Sequence, residues 1–303
     1  MKIYTINNGK IIYEIPLEDD NKPLRDILRK MRISHSAVTR FKRNAAILID
    51  GNVRFADKPV YAGETLSIEI DSAECVRIDC EDINLEIIYE DEFLLAVNKP
   101  AGMPSHPSRR HVSGTLANAA AGYLAKTSPT SGVHLVNRLD RNTSGIVMIA
   151  KNSFAKHLMC EQLAVMQKTY IAVTEGIIKE ANGVIDAPIA RREASLIERC
   201  IRNDGQISCT HFTVLDAAND LTIVEVTPKT GRTHQIRVHF AHIGHPLAGD
   251  TLYGGHDAQI GRHALHACQF EFKHPINNNP IILHANLPND MLELIHNSID
   301  PLF

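Results

Sequence analysis

The amino-acid sequence predicts an α+β fold divided into two domains. A chain of 303 residues exceeds the usual size of one domain. Apolar residues recur with helical spacing from Leu24 to Met31, whereas residues 62–70 show the two-residue alternation of a half-buried strand. A polar, acidic stretch without a clear period follows that strand. We therefore expect a small N-terminal domain that begins with an extension, then a linker and a larger second domain, at residues 1–72, 73–84 and 85–303 respectively.

Composition and residue patterns exclude several classes of protein. Hydrophobic residues make up 44% of the chain and charged residues 22%, as in globular proteins that bury a full core. No apolar run approaches the roughly 18 residues that span a bilayer, and the first residues lack a signal-type apolar block. The six cysteines form no Cys-x-x-Cys pair and no disulfide framework. We expect a cytoplasmic protein with reduced thiols and no membrane partner, acting as a monomer.

Positive charge is concentrated in the N-terminal domain, although the formal net charge of the chain is −3. Residues 22–43 contain eight Lys or Arg and a single acid, Asp26. They belong to two predicted short helices, one from Leu24 to Met31 and one that runs through Val38 to Phe41. An Asp-Gly turn at Asp50 and a strand complete the module. The basic helices indicate either an RNA-binding surface or an ordinary solvated face.

Strands and helices alternate in the predicted second domain. Two helices are expected, Ser153–Met166 and a second from Thr233, its cap, to Gly244, which closes it. Ile236, Phe240 and Ile243 recur on one face of that second helix. Runs rich in β-branched or alternating apolar residues predict strands at 85–90, 93–97, 146–150, 167–173, 207–214, 221–226 and 269–272.

Asp140 lies in the loop that precedes the predicted strand at residues 146–150. Arg138 and Arg141 stand beside it, and the loop ends in Asn-Thr-Ser-Gly. Neighbouring guanidinium groups favour the charged form of a carboxyl group, as a nucleophile or a stabiliser of positive charge requires. Loop aspartates also commonly form turns with the backbone that follows them. Taken alone, this loop is consistent with either role.

No pattern in the sequence predicts a cofactor or a metal. There is no P-loop and no Gly-x-Gly-x-x-Gly segment. Four histidines in and after the second predicted helix raise the question of zinc: His234, His239, His242 and His245. Side chains at these steps of one helix turn away from a common point, and no cysteine or acid stands at the spacing of a four-ligand site. We therefore expect neither a metal nor a cofactor.

Several segments together resemble a known family. They are Arg-Leu-Asp-Arg-Asn-Thr-Ser-Gly at 138–145, Lys-Pro-Ala-Gly at 99–102, Lys-Thr-Tyr at 168–170, Thr-Gly-Arg-Thr-His-Gln-Ile-Arg-Val-His at 230–239 and Gly-His-Pro-Leu-Ala-Gly-Asp-Thr-Leu-Tyr-Gly at 244–254. In this order they resemble the motifs of the RluA family of RNA pseudouridine synthases, over about residues 14–275. The N-terminal module, about residues 14–72, resembles the S-four-like RNA-binding domain of a ribosomal small-subunit protein.

The resemblance implies an enzyme that converts uridine in RNA to pseudouridine without a cofactor. It implies a catalytic domain built on a mixed, mainly antiparallel sheet. Asp140 would be the catalytic residue and Arg237 its ion-pair partner, while Tyr170 would pack on the uracil and assist removal of a ring proton. A base inside an RNA helix is inaccessible, so the nucleotide is expected to flip out. Ribosomal RNA is the expected partner, with transfer RNA second.

The residues expected to contact RNA belong to the same motifs or to the basic helices. Arg138 would help to hold the flipped nucleotide. Asn137 departs from the family, in which many members carry histidine, and an amide can hydrogen-bond but cannot act as acid or base. The full set of expected RNA contacts is Arg138, Lys99, Arg141, Lys168, Arg232, Gln235, Arg25, Arg29, Arg40, Lys42 and Arg43.

Two other functions stay open at this point. A non-catalytic RNA-binding or ribosome-assembly factor would use the N-terminal module and would not need the carboxylate of Asp140. A glycoside-type hydrolase would need a second carboxylate paired with Asp140, and the matched motifs offer no candidate.

Overall fold

Two β-sheets, each with its own hydrophobic core, organise the chain. The computed structural model describes residues 5–7, 10–31, 33, 47–69, 78–108, 111–163, 165–193 and 195–298. A five-stranded sheet lies in the part up to residue 69, and a ten-stranded sheet lies in the part from residue 86 onward. The α+β prediction is confirmed. No helix in these ranges is long and apolar enough to cross a membrane.

The N-terminal sheet is antiparallel throughout. Its five strands are β1 (Thr5–Asn7), β2 (Lys10–Glu14), β4 (Ile47–Ile49), β5 (Asn52–Val53) and β7 (Thr65–Glu69). A separate two-stranded ribbon consists of β3 (Lys22–Pro23) and β6 (Pro59–Val60). The sheet order is β1-β2-β7-β4-β5, and β3 pairs with β6. Within the expected N-terminal extension, residues 1–20, β2 pairs with β1 and β7 and buries Ile11 and Tyr13, so this segment is part of the sheet. Asp50 and Gly51 form the predicted turn, with φ values of 47° and 77°.

Helix α1 (Leu24–Lys30) is the first of the two predicted basic helices. Its three apolar side chains are buried against the sheet, whereas Arg25 and Arg29 are exposed. Asp26 in the first turn and basic residues in the last turn suit the helix dipole. The second predicted basic helix, residues 38–41, lies outside the residues that the structure describes.

The ten-stranded sheet confirms the predicted mixed, mainly antiparallel architecture. Its strands, and a separate ribbon of β14 with β15, are β8 (Glu86–Glu90), β9 (Leu94–Lys99), β10 (His134–Leu135), β11 (Ser144–Ala150), β12 (Gln167–Glu175), β13 (Asn182–Asp186), β14 (Ile189–Arg191), β15 (Arg199–Ile201), β16 (Cys209–Ala218), β17 (Leu221–Pro228), β18 (Leu265–Lys273) and β19 (Pro280–His284). The order is β13-β16-β17-β12-β18-β11-β9-β8, with β10 beside β11 and β19 beside β18. Only the β11–β18 pair among the described strands is parallel.

Four helices accompany this sheet in the described residues. They are α2 (Leu116–Thr127), α3 (Ser153–Gln162), α4 (Gln235–His242) and α5 (Asn289–Ser298). The predicted end of α3 at Met166 is wrong, since the helix stops at Gln162 before β12 begins. Asn152 caps its start by accepting a hydrogen bond from the N–H of Ala155 at 2.8 Å.

The start of α4 also differs from the prediction. His234, in a left-handed conformation with φ of 58°, precedes the helix and supplies no side-chain cap, so Thr233 is not the cap. Gly244, with φ of 84°, follows its end as predicted. Ile236 and Phe240 of the predicted apolar stripe are buried, whereas Ile243 is 38% exposed.

A short contact, here called the seam, joins the two halves of the large sheet. It consists of two residue pairs between β11 and β18, Ser144 with His266 and Gly145 with Ala267. The Ser144 hydroxyl also shares a hydrogen bond of 2.9 Å with Nδ1 of His266. The Thr-Ser-Gly segment that follows Asp140 is therefore fastened directly to β18.

The N-terminal sheet packs against the later part of the described chain through α3. Phe154 and Leu158 of α3 are buried in the same hydrophobic cluster as the N-terminal core, and Ile276 packs on both cores. This apolar contact places the N-terminal sheet next to α3, the helix that follows β11.

Gly145→Ala is expected to destabilise the fold severely. An added Cβ would lie 2.6 Å from the backbone nitrogen of Ala267 and closer still to its carbonyl oxygen, and Gly145 has a φ of 112°. We expect the free energy of unfolding to fall by roughly 3 kcal/mol or more in urea denaturation. Gly102→Ala is the control, since its φ of 84° is also positive but nothing lies within 4 Å of the added Cβ. An equal loss in both variants would contradict the steric cause.

The histidines behind the seam are expected to make the fold sensitive to acid. Burial, the largest cause, lowers the pKa of His263 to about 2 and that of His266 to about 4. Below a pH of about 6.5 the unfolded chain binds protons at these histidines and the folded protein does not. The free energy of unfolding therefore decreases as the pH is lowered. His266→Asn should flatten this dependence by up to about 1.4 kcal/mol per pH unit, measured by denaturation at several pH values.

His256→Asn provides a control of opposite sign. A hydrogen bond with Glu175 raises the pKa of His256, so the folded state takes up this proton first and gains stability in acid. Removing His256 should steepen the loss of stability as the pH falls. For His266 itself, the contradicting result would be a free energy of unfolding that changes with pH in the same way in the wild type and in His266→Asn.

Candidate active site

Asp140 lies just before the seam, in the loop that leads into β11. Its side chain is 29% exposed. The Oδ2 atom accepts a hydrogen bond from Nη1 of Arg237 at 3.2 Å and lies 3.7 Å from Nε2 of His234. Within the described residues no hydrogen bond reaches Oδ1. One oxygen of Asp140 is thus held by the protein and the other is available to a substrate.

Arg237, on α4, is held in one orientation by two carboxylates. Its Nε and Nη2 atoms donate to the two oxygens of Asp250, each at 2.7 Å, and Asp250 is 2% exposed. The guanidinium carbon lies 5.0 Å from the ring centroid of Tyr253. Burial works against the charge, but Asp250 and Asp140 outweigh it and raise the pKa of Arg237. The ion pair with Asp140 is present as predicted.

Asp250 is a second carboxylate close to Asp140, but it is not placed as a partner in acid–base chemistry. It is buried, and Arg237 occupies both of its oxygens. A glycoside-type hydrolase needs two carboxylates that face the same bond. The arrangement of Asp140 and Asp250 therefore does not fit a glycoside-type hydrolase.

His234 and Tyr253 form the side of the site next to Arg237. Nδ1 of His234 shares a hydrogen bond of 2.8 Å with the Tyr253 hydroxyl, and the two rings meet edge to face with centroids 5.7 Å apart. The N–H of Arg199, on β15, donates to the same hydroxyl at 2.9 Å. Burial lowers the pKa of His234, so the ring is neutral at neutral pH. Asp250 and Tyr253 were not among the site residues predicted from the sequence, where they appeared only as members of the motif at 244–254.

The four histidines considered as zinc ligands diverge. Nδ1 of His239 bonds to the Thr210 hydroxyl at 2.9 Å, while Nδ1 of His245 bonds to the carbonyl oxygen of Glu175 at 3.0 Å. His242 is exposed, whereas His234 faces Asp140 as described above. Among the described residues, no group of three or more His, Cys, Asp or Glu could hold a metal ion.

Tyr170 lies on β12 at the position that pairs with Ala267 of the seam. Its side chain is half-buried and packs on both the core around β11 and the core under α4. Burial and then the negative charge of Asp140 raise the pKa of Tyr170, so the hydroxyl is protonated at neutral pH. Asp140, Arg237 and Tyr170 thus come from three different elements that meet around the seam.

Two residues predicted to contact RNA are buried. Lys99 is 0% exposed, and its ammonium group donates to the carbonyl oxygens of Pro100, Met103 and Arg141 at 2.8, 2.9 and 3.1 Å. Gln235 is 4% exposed, and its amide bonds to backbone and hydroxyl groups around the start of α4. Neither side chain has surface to offer a phosphate. The structure contradicts both predictions, because each side chain supports the backbone of the site.

Those of the other predicted RNA contacts that the structure describes lie nearer to solvent. Arg138, Arg141 and Arg232 are exposed, and Arg141 also donates to a neighbouring carbonyl oxygen at 2.9 Å. Lys168 is half-buried, and burial lowers its pKa. The remaining predicted contacts belong to the N-terminal part, with Arg25 and Arg29 exposed on α1 and with Arg40, Lys42 and Arg43 outside the described residues.

Asn137 holds the loop to β11 through its side-chain amide. Its Nδ2 donates to the carbonyl oxygen of Ile146 at 3.2 Å, and its Oδ1 accepts from the N–H of Met148 at 2.8 Å. The amide therefore keeps the hydrogen-bonding role expected of it, and continues the pairing that begins between β10 and β11.

Comparisons with known proteins identify RNA pseudouridine synthases as relatives of this chain. The family model described as RNA pseudouridylate synthase matches residues 93–242. The uncharacterized RNA pseudouridine synthase YjbO of Bacillus subtilis (strain 168) is 46% identical over 71% of this chain and 77% of its own. Ribosomal large subunit pseudouridine synthase D of Salmonella typhimurium is 33% identical over 86% of this chain and 85% of its own.

A solved structure extends this similarity to the fold. Human RNA pseudouridylate synthase domain containing 1 superposes with a TM-score of 0.57 at 27% identity, over 68% of this chain and 84% of that chain. The matched family region contains Asp140, Tyr170 and Arg237. The chain belongs to the RluA-type family of RNA pseudouridine synthases.

Proposed function

We propose that this RNA pseudouridine synthase modifies specific uridines of ribosomal RNA and uses Asp140 as its catalytic residue. The reaction breaks the bond between N1 of uracil and C1′ of ribose, turns the base and joins C5 to C1′, while C5 loses a proton and N1 gains one. No electrons are gained or lost. The observation that carries the proposal is the partly exposed carboxylate of Asp140, held at 3.2 Å by an arginine that buried Asp250 fixes in place.

Asp140 is suited to act on the flipped nucleotide because its two oxygens have different surroundings. Arg237 holds Oδ2 and so orients the carboxylate. Oδ1 is available for contact with the sugar or the uracil ring. Arg237 cannot swing toward the substrate, since its other two donors are engaged by Asp250. Its role is to hold the carboxylate in a fixed geometry before the RNA arrives.

Tyr170 supplies a ring for the uracil and a hydroxyl for the proton at C5. In the resting enzyme burial and Asp140 keep this hydroxyl protonated. The contribution of Asp140 disappears once its carboxylate has formed a bond with the substrate. The pKa of Tyr170 then falls, so its hydroxyl loses its own proton to solvent more readily, and the resulting phenolate can take the proton from C5; proton removal is thereby linked to the earlier step.

The substrate proposal rests on charge and on similarity. The Salmonella relative is named for the large ribosomal subunit. In this chain Arg25 and Arg29 are exposed on α1, whose buried side chains share one hydrophobic cluster with the N-terminal sheet and α3. We assign residues 1–72 to an S-four-like RNA-binding domain, 73–84 to a linker and 85–303 to the catalytic domain. Exposed Arg138 stands next to Asp140 and would contact the flipped nucleotide.

An enzyme of this kind would act in the cytoplasm, where ribosomal RNA is found, and one chain carries the complete set of proposed catalytic residues. We therefore propose that it acts as a monomer.

Asp140→Ala is expected to abolish modification and to preserve the fold. Pseudouridine mapping of total RNA should show a discrete ribosomal site that is present with the intact gene and missing both in a deletion strain and in a strain carrying Asp140→Ala. The purified variant should keep its thermal unfolding temperature, since Arg237 retains two hydrogen bonds to Asp250. Persistence of the site in the Asp140→Ala strain would refute the catalytic assignment. Loss of a transfer-RNA site instead would refute only the substrate.

Replacements of Tyr170 should separate its ring from its hydroxyl. Tyr170→Phe keeps the aromatic face, so RNA affinity should be unchanged, but the rate should fall about a hundredfold or more because the acid–base group is lost. Tyr170→Leu should weaken both. The measurements are filter binding and single-turnover conversion. A full rate for Tyr170→Phe would exclude the hydroxyl from the proton transfer.

A further inference from the structure

Arg262 is a buried arginine behind the Asp140 loop that forms an ion pair with the partly exposed Asp290. Its side chain is 8% exposed, and Nε and Nη2 donate to the two oxygens of Asp290 at 2.6 and 2.9 Å. Burial alone would raise the pKa of Asp290, but Arg262 outweighs this and lowers it, so the carboxyl group is charged at neutral pH. The pair has the geometry of a guanidinium fork on a carboxylate.

The third donor of Arg262 reaches the catalytic loop. Nη1 donates to the carbonyl oxygen of Asn142 at 3.1 Å and to that of His263 at 3.1 Å. Asn142 stands two residues after Asp140, and the N–H of Thr143 closes the turn by donating to the carbonyl oxygen of Asp140 at 3.1 Å. A displacement of Asn142 would therefore move the backbone of Asp140.

Both ends of this contact are anchored. Asp290 lies in the first turn of α5, whose Met291 and Leu294 are buried in the cluster that contains Val173 of β12. From elsewhere in the fold Lys99 donates to the carbonyl oxygen of Arg141 at 3.1 Å. Two buried basic side chains, Lys99 and Arg262, thus donate to the two consecutive carbonyl groups that follow Asp140.

We propose that Arg262 is a positioning residue for the reaction: oriented by Asp290, it holds the turn at Asn142 so that the Asp140 carboxylate meets both Arg237 and the substrate. The inference rests on the proposed catalytic role of Asp140. It makes α5 a determinant of the reaction rate. A displacement of about 1 Å in a reacting group can lower a rate by as much as a hundredfold.

The competing explanation is that the pair only stabilises the fold. In that case its removal would lower the unfolding temperature and leave the rate of the folded, RNA-bound enzyme unchanged. A positioning role predicts a loss of rate at full RNA occupancy. The two explanations therefore differ in single-turnover rate and not in stability.

The test uses the full chain and a substrate that reports conversion at any uridine, whichever one the enzyme modifies. Bulk RNA is labelled with uridine tritiated at C5 in cells that lack the gene, and each conversion releases tritium to water because C5 loses its hydrogen. Single-turnover rates at saturating enzyme, RNA affinity by filter binding and thermal unfolding are measured for the wild type, Arg262→Lys, Asp290→Asn and Asp290→Glu. Asp290 is 44% exposed, so its replacement by Asn leaves the chain able to fold.

We expect Arg262→Lys and Asp290→Asn to lower the single-turnover rate about tenfold or more with RNA affinity unchanged. Asp290→Glu keeps the carboxylate and should recover most of the rate. The matched control is Glu90→Gln, which removes the carboxylate from a second partly buried pair, Glu90 with Lys151 at 2.6 Å, in the same domain. This control should lose thermal stability and keep the full rate.

The proposal is overturned if Arg262→Lys and Asp290→Asn react as fast as Glu90→Gln, or if Glu90→Gln loses rate in the same proportion to its loss of stability. Asp140→Ala is assayed in parallel. Tritium release by Asp140→Ala would refute the catalytic role on which the inference rests. An inactive Asp140→Ala with normal rates for the Arg262 and Asp290 variants would refute the inference alone.

Discussion

The parallel contact between β11 and β18 is the constraint on which the rest of the structure depends. One half of the large sheet carries the Asp140 loop, and the other half carries Tyr170 on β12 and leads through β17 to Arg237 on α4. Two residue pairs join the halves, and Gly145 is required there because the backbone of Ala267 occupies the place of a Cβ. The site is assembled across this contact, so strands rather than a mobile loop determine its geometry.

The electrostatics of the site follow from the cost of burying charge. Lys99, Arg237 and Arg262 are basic side chains with little or no exposed surface around one short loop. Burial lowers the pKa of Lys99 to about 7, whereas the pKa of Arg237 is raised by its carboxylate partners. Burying an ion costs several kcal/mol unless it is paired or hydrogen-bonded, so each must have fixed partners. Arg237 donates two hydrogen bonds to Asp250 and Arg262 donates two to Asp290. Lys99 donates to three backbone carbonyl oxygens. Of the three carboxylates, Asp140 alone keeps an oxygen that accepts no hydrogen bond within the described residues, since Arg237 and Arg262 engage both oxygens of Asp250 and of Asp290.

Much of the site and the fold could be predicted, and the errors share a physical cause. The Asp140 loop, its ion pair with Arg237 and most strands were readable because they depend on local pattern and on motifs already known in a family. Lys99 and Gln235 were misassigned because a polar residue in a turn or at a helix start looks the same in sequence whether it faces solvent or the protein interior. The Thr233 cap failed for a related reason, since the backbone at His234 adopts a left-handed conformation that tertiary contacts impose.

By itself the sequence determined the α+β class, the position of the Asp140 loop and the family. The tertiary structure decided which distant groups support that loop. Thr143 bonds to His263, the carbonyl of Asn142 bonds to Arg262, and Arg262 depends in turn on Asp290, 28 residues further on. Periodicity and motifs indicate which strand or helix a residue belongs to and which face it lies on. The partners of a buried charge depend instead on which elements pack together, and that is settled only when the two halves of the sheet meet.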